Sequence, residues 1–444
     1  MNINRARFAN TIRWQFFANG IQVVFGGAYL LLLGRLLGPG DFGIFSVVIS
    51  LVAVCGLVFE MRLQEVIARD FCNLDDADPV HIPSSLHLYD FYILEIFSRL
   101  VPAVLVGLLL VSDLVKLFLD VESGSSRLIL LAVIGFVLSK SGSGVSNGLL
   151  RVLGRTDLVA GCMMIDSGGR LITSIIYALV WQLNVTAALW VALIFGAVSN
   201  GLQAFFALHR FNARVSLPAF ATWTFDGALS RLRTSQRLIF SNLGISGGDL
   251  MAKDLDVVLI SSLLSSEKVG IYKMAKSFVQ IFWRAIDPFY IAIMPEVQKL
   301  WQRNESQSLE SLLRKTTIRL FLLSISLVVI GNLIVASTSV KLLGAGYVEV
   351  PMLTLVMSVW VVVCAPLIWG SPLAVAINRP EISVGGSAIG TIAGLIAFSY
   401  LTPTFGLVGA ALAWNVTLIS GFVFTVGMAV WLTSKKPPFK KRDN

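Results

Sequence analysis

Charge is scarce in this 444-residue chain: Asp, Glu, Lys and Arg make up 14% of it, against about 25% in soluble globular proteins. The hydrophobic share is 56% and the mean hydropathy is +0.79. An ordinary water-soluble enzyme is excluded. Cysteine is sparse too. Cys55, Cys72, Cys162 and Cys364 lie in or beside apolar runs, at spacings that suit neither a metal knuckle nor an exofacial bridge, so free structural thiols are expected. The three histidines, His81, His87 and His209, are scattered and build no metal site. No glycine-rich phosphate loop with its lysine occurs, so nucleotide hydrolysis is not expected and no cofactor is called for. The net charge of +9 resides in short loops and the tail KKPPFKKRDN. There it reads as contact with anionic lipid rather than as a nucleic-acid module.

What the chain has is a series of charge-poor runs of roughly 18–25 residues, each long enough to cross a ~30 Å hydrocarbon core. Twelve spans are expected, near 14–34, 42–60, 91–117, 128–150, 157–180, 186–208, 237–262, 269–294, 317–338, 351–372, 382–402 and 405–433. The fold class is therefore an all-α polytopic membrane protein. The basic start (Arg5, Arg7, Arg13) precedes a run too long for a signal peptide and without a small-residue cleavage site, so it reads as an uncleaved first span. With both termini in the cytoplasm, 23 of the 35 Lys and Arg residues fall in inside segments and five in outer loops, as the positive-inside rule requires. The other seven (Arg99, Lys140, Arg170, Lys253, Lys273, Lys276, Arg284) fall within spans. Intramembrane charge is costly and tends to line a cavity or a site.

The two halves of the chain match each other. GRLLGPGDFGIF from Gly34 aligns with SSLLSSEKVGIY from Ser261 at an offset of 227, and GRTDLVAG from Gly154 with NRPEISVG from Asn378 at 224. Six spans per half give both copies the same orientation. The expected organisation is two six-helix lobes, residues 1–222 and 223–444, the second ending in the basic cytoplasmic tail, around a central cleft.

Polar residues mark the candidate cleft faces. At ~100° per residue, span 7 gathers Asn242, Ser246, Asp249, Lys253 and Asp256 within roughly 80°, with Asp254 off the stripe. Span 8 aligns Lys273, Lys276, Gln280, Arg284 and Asp287 opposite Phe278, Phe282, Ile286 and Phe289. Shifting span 7 back by 227 lands on Gln15, Asn19, Gln22, Gly26 and Tyr29 of span 1, the same stripe without charge. Glu95 and Arg99, Asp166 and Arg170, and Asp249 and Lys253 are spaced i,i+4, and Arg284 and Asp287 i,i+3, so neutralised pairs on one helix are the competing reading. Lys140, in SKSGSGVSNG, has no local carboxylate; it snorkels, pairs with another helix or meets an anionic ligand. Asp249, Asp256 and Asp287 are the candidates for carrying a coupling ion.

Several segments resemble the polysaccharide (O-antigen and exopolysaccharide) flippases of the multidrug/oligosaccharidyl-lipid/polysaccharide exporter superfamily. They are LLLGRLLGPGDFGIFSVVISLV, DLDVVLISSLLSSEKVGIYKMAKSF, MPEVQKLWQ with a basic segment after it, LLGAGYVEVPMLTLVMSV and FGLVGAALAWNV. The resemblance implies alternating-access movement of undecaprenyl-diphosphate-linked oligosaccharide from the inner to the outer leaflet of a bacterial plasma membrane. It makes Lys140, Arg170, Lys253, Lys273, Lys276 and Arg284 candidate contacts of an anionic headgroup. The carboxylates of the same spans nearly balance those cations. A monomer working beside polysaccharide polymerase and chain-length proteins is expected. The rivals are a cation-coupled multidrug exporter on the same fold and a membrane-embedded glycan polymerase or ligase, which would need a larger outer loop than this chain offers.

Overall fold

A computed structural model describes residues 2–59, 63, 67, 86–111, 134–135, 138–212 and 254–435. Every regular element among the described residues is helical. In chain order these are α1 (Asn2–Phe59), α2 (Leu86–Val111), α3 (Ser143–Val152), α4 (Thr156–Val180), α5 (Val185–Asn212), α6 (Asp256–Ser261) and α7 (Ser266–Arg284). Then come α8 (Asp287–Gln302), α9 (Ser306–Leu343), α10 (Val350–Met357), α11 (Val359–Cys364), α12 (Gly370–Ala376) and α13 (Glu381–Lys435). Among the described residues, six helical stretches are long and apolar enough to cross a membrane.

Two of those stretches are too long for one crossing. At 1.5 Å per residue, the 58 residues of α1 would reach about 87 Å and the 55 of α13 about 82 Å, against a ~30 Å core. Each folds at a glycine outside the helical region: Gly38 (φ 72°, ψ 173°), followed by Pro39, and Gly406 (φ 57°, ψ −131°), preceded by Pro403. Only glycine takes a positive φ without steric cost, and proline cannot continue the ladder behind it. The pairs of spans expected at 14–34 with 42–60, and at 382–402 with 405–433, are thus joined by single-residue turns.

Two expected spans are broken. Residues 269–294 were expected as one helix, yet α7 ends at Arg284 and α8 begins at Asp287. Pro288 has no amide proton and disfavours helical backbone at the residue before it. The expected span 351–372 is divided into α10, α11, a 3₁₀ turn at Ala365–Leu367 and α12. Pro366 lies in that turn, and its carbonyl accepts a hydrogen bond from the Thr317 hydroxyl at 3.3 Å. The Val356 carbonyl near the α10–α11 junction receives the Asn415 side-chain amide at 2.7 Å. In hydrocarbon, freed backbone groups need partners of this kind. Lys140 also departs from expectation: it sits in a turn at 140–142 before α3, with Gly142 at φ 81°, instead of mid-span.

The chain divides into two compact units, one comprising Met1–Leu37 and Val48–Ser246 and the other Gly38–Val47 and Gly247–Asn444. The anticipated boundary at 222/223 lies outside the described residues. Within each unit the duplication is visible at atomic level. Gly154 and Asn378 both have positive φ, 67° and 58°. The amides that follow close the same six-residue helix cap, Arg155 N–H to Leu150 at 2.9 Å and Arg379 N–H to Ala374 at 2.9 Å. Each arginine then pairs with the acid two residues on, Arg155 with Asp157 at 2.9 Å and Arg379 with Glu381 at 3.0 Å. The apolar clusters correspond too: Val145, Leu149 and Leu150 of the first unit stand at the positions of Trp369, Leu373 and Ala374 of the second. Large apolar side chains on the outer helix faces, such as Leu179 at 82% and Leu333 at 66% exposure, form the surface a lipid bilayer covers.

The segment Gly38–Val47 meets the start of α7 in a reciprocal contact. A Cβ on Gly43 would lie 3.1 Å from the Gly270 nitrogen and closer still to the Ser266 carbonyl oxygen. One on Gly270 would lie 3.0 Å from the Gly43 nitrogen and closer still to the Pro39 carbonyl oxygen. Gly43 and Gly270, and likewise Pro39 and Ser266, are equivalent at the offset of 227, so the two copies of one motif meet through the same atoms. Small residues allow backbones this close, which is how helices associate where hydrophobic driving force is lacking. Gly270→Ala should lower stability by about 1–3 kcal/mol by overpacking. Gly427→Ala, where a Cβ meets nothing within 4 Å, should be neutral or mildly stabilising. Melting of the detergent-solubilised variants measures both, and equal melting temperatures would refute the close-contact argument.

Candidate functional site

In the second unit, α7 presents Tyr272 and Lys276, one helical turn apart, towards Asp256 at the start of α6. The Lys276 ammonium donates to both carboxylate oxygens of Asp256 at 2.7 Å, and the Tyr272 hydroxyl donates to one of them at 2.8 Å. Lys276 and Asp256 are both 0% exposed. The same ammonium lies 5.3 Å from the ring centroid of Trp414, a cation–π distance. Beside this cluster, Lys273 donates to Asp254 at 2.7 Å. A buried lysine without a counter-charge would be costly, whereas the carboxylate, phenol and indole together satisfy this one.

The stripe expected of spans 7 and 8 therefore divides in two. Lys273 and Lys276, offered by the sequence as headgroup contacts, are engaged in ties between α6 and α7. Asp256, offered as an ion carrier, has both oxygens occupied in this structure. Asp254, set aside as off the stripe, is the partner of Lys273. Asn242, Ser246, Asp249 and Lys253 lie outside the described residues. Gln15 and Asn19 are on α1, their side chains outside the described ones, and Gln22 is exposed. Gln280 is half-buried, while Arg284 and Asp287 are exposed at the two sides of the α7–α8 break. Among the described residues no carboxylate stands at ion-pair distance from Arg284, although Asp287 feels its charge. On the opposite face Phe282 and Ile286 are buried, but Phe289, beyond the break, is 44% exposed.

The first unit holds a separate charged cluster. Arg170 on α4 pairs with Asp166 at 2.6 Å, the i,i+4 geometry its spacing allows. Asp166 also feels the charge of Lys140, and buried Tyr29 lies within the field of both Asp166 and Arg170. Glu95 does more than its spacing to Arg99 suggested: its carboxylate accepts from the Gly144 and Val145 amides at 2.8 and 3.0 Å. That caps the start of α3, where unsatisfied amides and the helix dipole favour an anion. Cys162 and Cys364 are buried and free. Among the described residues no group of three or more His, Cys, Asp or Glu side chains is placed to hold a metal ion.

Sequence reasoning did not anticipate an aromatic cluster beside the break. Trp283 at the end of α7 packs on Trp360 of α11 at 4.4 Å and on Phe422 of α13 at 5.6 Å, and Trp360 on Trp414 at 5.5 Å. Trp283 and Phe422 also line a cavity of about 340 Å³ with Asp287, Tyr290, Ser371 and Ser387. A second cavity, of about 660 Å³, lies at the junction of α8, α9 and the end of α13, lined by Trp301, Leu313, Arg314 and Trp369. The four rings of the cluster come from α7, α11 and α13, so no single sequence window contains them.

This arrangement of duplicated helices is the fold seen in solved multidrug and lipid exporters. A multidrug-resistance MATE family transporter of the MOP superfamily, in an inward-facing conformation, superposes with a TM-score of 0.69 at 15% identity over 93% of this chain and 95% of that one. The lipid II flippase MurJ, in an inward closed conformation, gives 0.72 at 12% identity over 94% and 87%. A mutant of the Vibrio cholerae MATE transporter VcmN gives 0.56 at 14% identity over 97% and 99%. The family model described as polysaccharide biosynthesis protein matches residues 9–301, and the chain belongs to that family. No curated protein matches the sequence.

The burial of the Lys276–Asp256 pair makes a stability prediction. Lys276→Met leaves a buried carboxylate uncompensated and should cost about 3–5 kcal/mol, while Lys276→Met combined with Asp256→Leu should recover most of it. Melting temperatures of the two variants decide the matter, and a double variant no more stable than the single one would overturn the paired reading.

Proposed function

We propose that the protein is a flippase that moves an undecaprenyl-diphosphate-linked oligosaccharide from the cytoplasmic to the outer leaflet of a bacterial inner membrane by alternating access. Membership of the polysaccharide biosynthesis family and a fold shared with a lipid II flippase support the substrate class. The observation that carries the reading is the exposed Arg284. It stands at the break between α7 and α8, inside the stretch the sequence offers as a span, beside aromatic rings, while its neighbours Lys273 and Lys276 are neutralised. A guanidinium gives bidentate, charge-assisted hydrogen bonds to a diphosphate, which an ammonium matches poorly. Arg170 and Lys140 in the first unit and Lys253 ahead of α6 are further candidate contacts, and the polar face of Gln15, Asn19, Gln22, Asn242, Ser246 and Gln280 would line the route. Both termini are assigned to the cytoplasm by the distribution of Lys and Arg. The protein would work as a monomer next to polymerase and chain-length proteins.

With no nucleotide site in the sequence, an ion gradient or removal of product outside would sustain cycling, and a membrane carboxylate is the usual ion carrier. Asp249 is the favoured carrier because both oxygens of Asp256 are engaged, with Asp287 the remaining candidate. The MATE likeness keeps a cation-coupled multidrug exporter as the second reading.

Deleting the gene should cause a lipid-linked oligosaccharide to accumulate facing the cytoplasm; increased drug sensitivity with normal polysaccharide would favour the second reading instead. Arg284→Ala should reduce export about 10–100-fold at normal protein level, the loss expected for charge-assisted bonds worth ~1.5–3 kcal/mol, and Arg284→Lys should retain part of it. Full export by the alanine variant would remove Arg284 from the site. Asp249→Asn should abolish gradient-dependent flipping in proteoliposomes, and retention of that dependence would exclude Asp249 as carrier.

A further inference from the structure

The 340 Å³ cavity beside the α7–α8 break has the chemistry of a carbohydrate site. A pyranose ring has an apolar C–H face and a rim of hydroxyls, so a pocket for it combines aromatic faces with hydrogen-bonding groups. Here Trp283, Tyr290 and Phe422 supply the rings, and Asp287, Ser371 and Ser387 the polar side. The volume falls at the lower end of the ~300–1,000 Å³ range of ligand pockets, room for about one or two sugar rings.

The site is also held in shape before any ligand arrives. Trp283 is held by a tilted contact with Trp360 and an edge contact with Phe422, which fixes its orientation and limits the ordering cost of binding. The hydroxyls of Ser371 and Ser383 share one hydrogen bond at 2.9 Å, and Thr425 donates to the Gly421 carbonyl at 2.9 Å. A hydroxyl that donates its one proton in this way still has lone pairs to accept a bond from a sugar. At the offset of 224 that relates Gly154 to Asn378, Asp166 and Arg170 of the first unit fall on Gly390 and Gly394 of the second. The first unit fills the position with an ion pair; in the second, a Cβ on Gly390 would lie 2.5 Å from the Thr417 carbonyl oxygen, so the glycine lets the backbone around Thr417, which also lines the cavity, pack close.

We propose that this cavity is a saccharide subsite of the second unit. It takes the sugar attached to the diphosphate, stacked on Trp283 with its hydroxyls toward Asp287 and Ser387, while Arg284, the next residue after Trp283, faces the diphosphate. The subsite rests on the flippase reading and names the part of the substrate that selects it. An acyl chain is the poorer occupant, because the Asp287 carboxylate and the serines would lose hydration without gaining partners.

The test uses the full-length protein in proteoliposomes and the lipid-linked oligosaccharide that accumulates in the deletion strain, with sugarless undecaprenyl diphosphate as competitor. Trp283→Leu and Ser387→Phe should each raise the half-saturating concentration of the oligosaccharide lipid about tenfold or more. The inhibition constant of the sugarless lipid should change less than twofold. Unchanged saturation in both variants would overturn the subsite, as would an equal rise for both lipids, the signature of an acyl-chain pocket or a general distortion. Failure of the wild type to move the lipid would sink the flippase reading alone, because a second measurement reaches the subsite directly. Free oligosaccharide released from the lipid should quench the tryptophan fluorescence of detergent-solubilised wild type and quench Trp283→Phe less. Equal responses, or none at about 10 mM sugar, would overturn it.

Discussion

A cation with no access to water must bring its own counter-charge, and the second unit is organised around one that does. The Lys276 ammonium, the two Asp256 oxygens, the Tyr272 hydroxyl and the Trp414 ring form a buried set with almost no access to solvent. That set ties α6 to α7 and α7 to α13, which settles where the later residues of α7 can go. Trp283 then reaches the ring cluster and Arg284 the open side of the break. The charge that is buried and the charge that is exposed thus depend on each other, since one fixes the helix that presents the other. Removing one partner is costly chiefly because the other stays buried, so the tie acts as a constraint on geometry more than as a source of stability.

Much of the fold was legible in the sequence because the membrane enforces simple rules. Apolar length gave α4, α5 and α9, and the pairs of spans flanking Gly38 and Gly406 were marked by the glycines and prolines between them. The internal repeat was legible from a few polar turn residues, because a left-handed cap needs Gly or Asn and a helix start favours an acid. The breaks at Pro288 and Pro366 were not anticipated. Hydropathy averages over a window and is blind to a single missing amide proton.

The site was legible only in part, for a geometric reason. Pairs on one helix, such as Asp166 with Arg170, follow from helical spacing. Asp256 and Lys276 stand twenty positions apart and Asp254 and Lys273 nineteen, and in each case the midpoint falls in the turn near residues 263–266. Residues equidistant from the turn of a helical hairpin face each other, so reflection about that turn would have found both pairs. A stripe drawn on one helix sorted Asp254 to the wrong side. The aromatic cluster has no comparable rule, as its members meet only once α11 and α13 are packed.

The reciprocal glycine contact also bears on how a duplicated chain can change. Over most of their length the copies are free to diverge, as the ion pair at Asp166 and the bare backbone at Gly390 illustrate. At Gly43 and Gly270 they are not, because each residue is the other's steric environment and both are already the smallest available. Bulk gained on one side has no smaller residue on the other to offset it. Two positions 227 apart are therefore held to a joint identity that neither copy could relax by itself, and the ancestral symmetry persists there for a mechanical reason after it has been lost in the pockets.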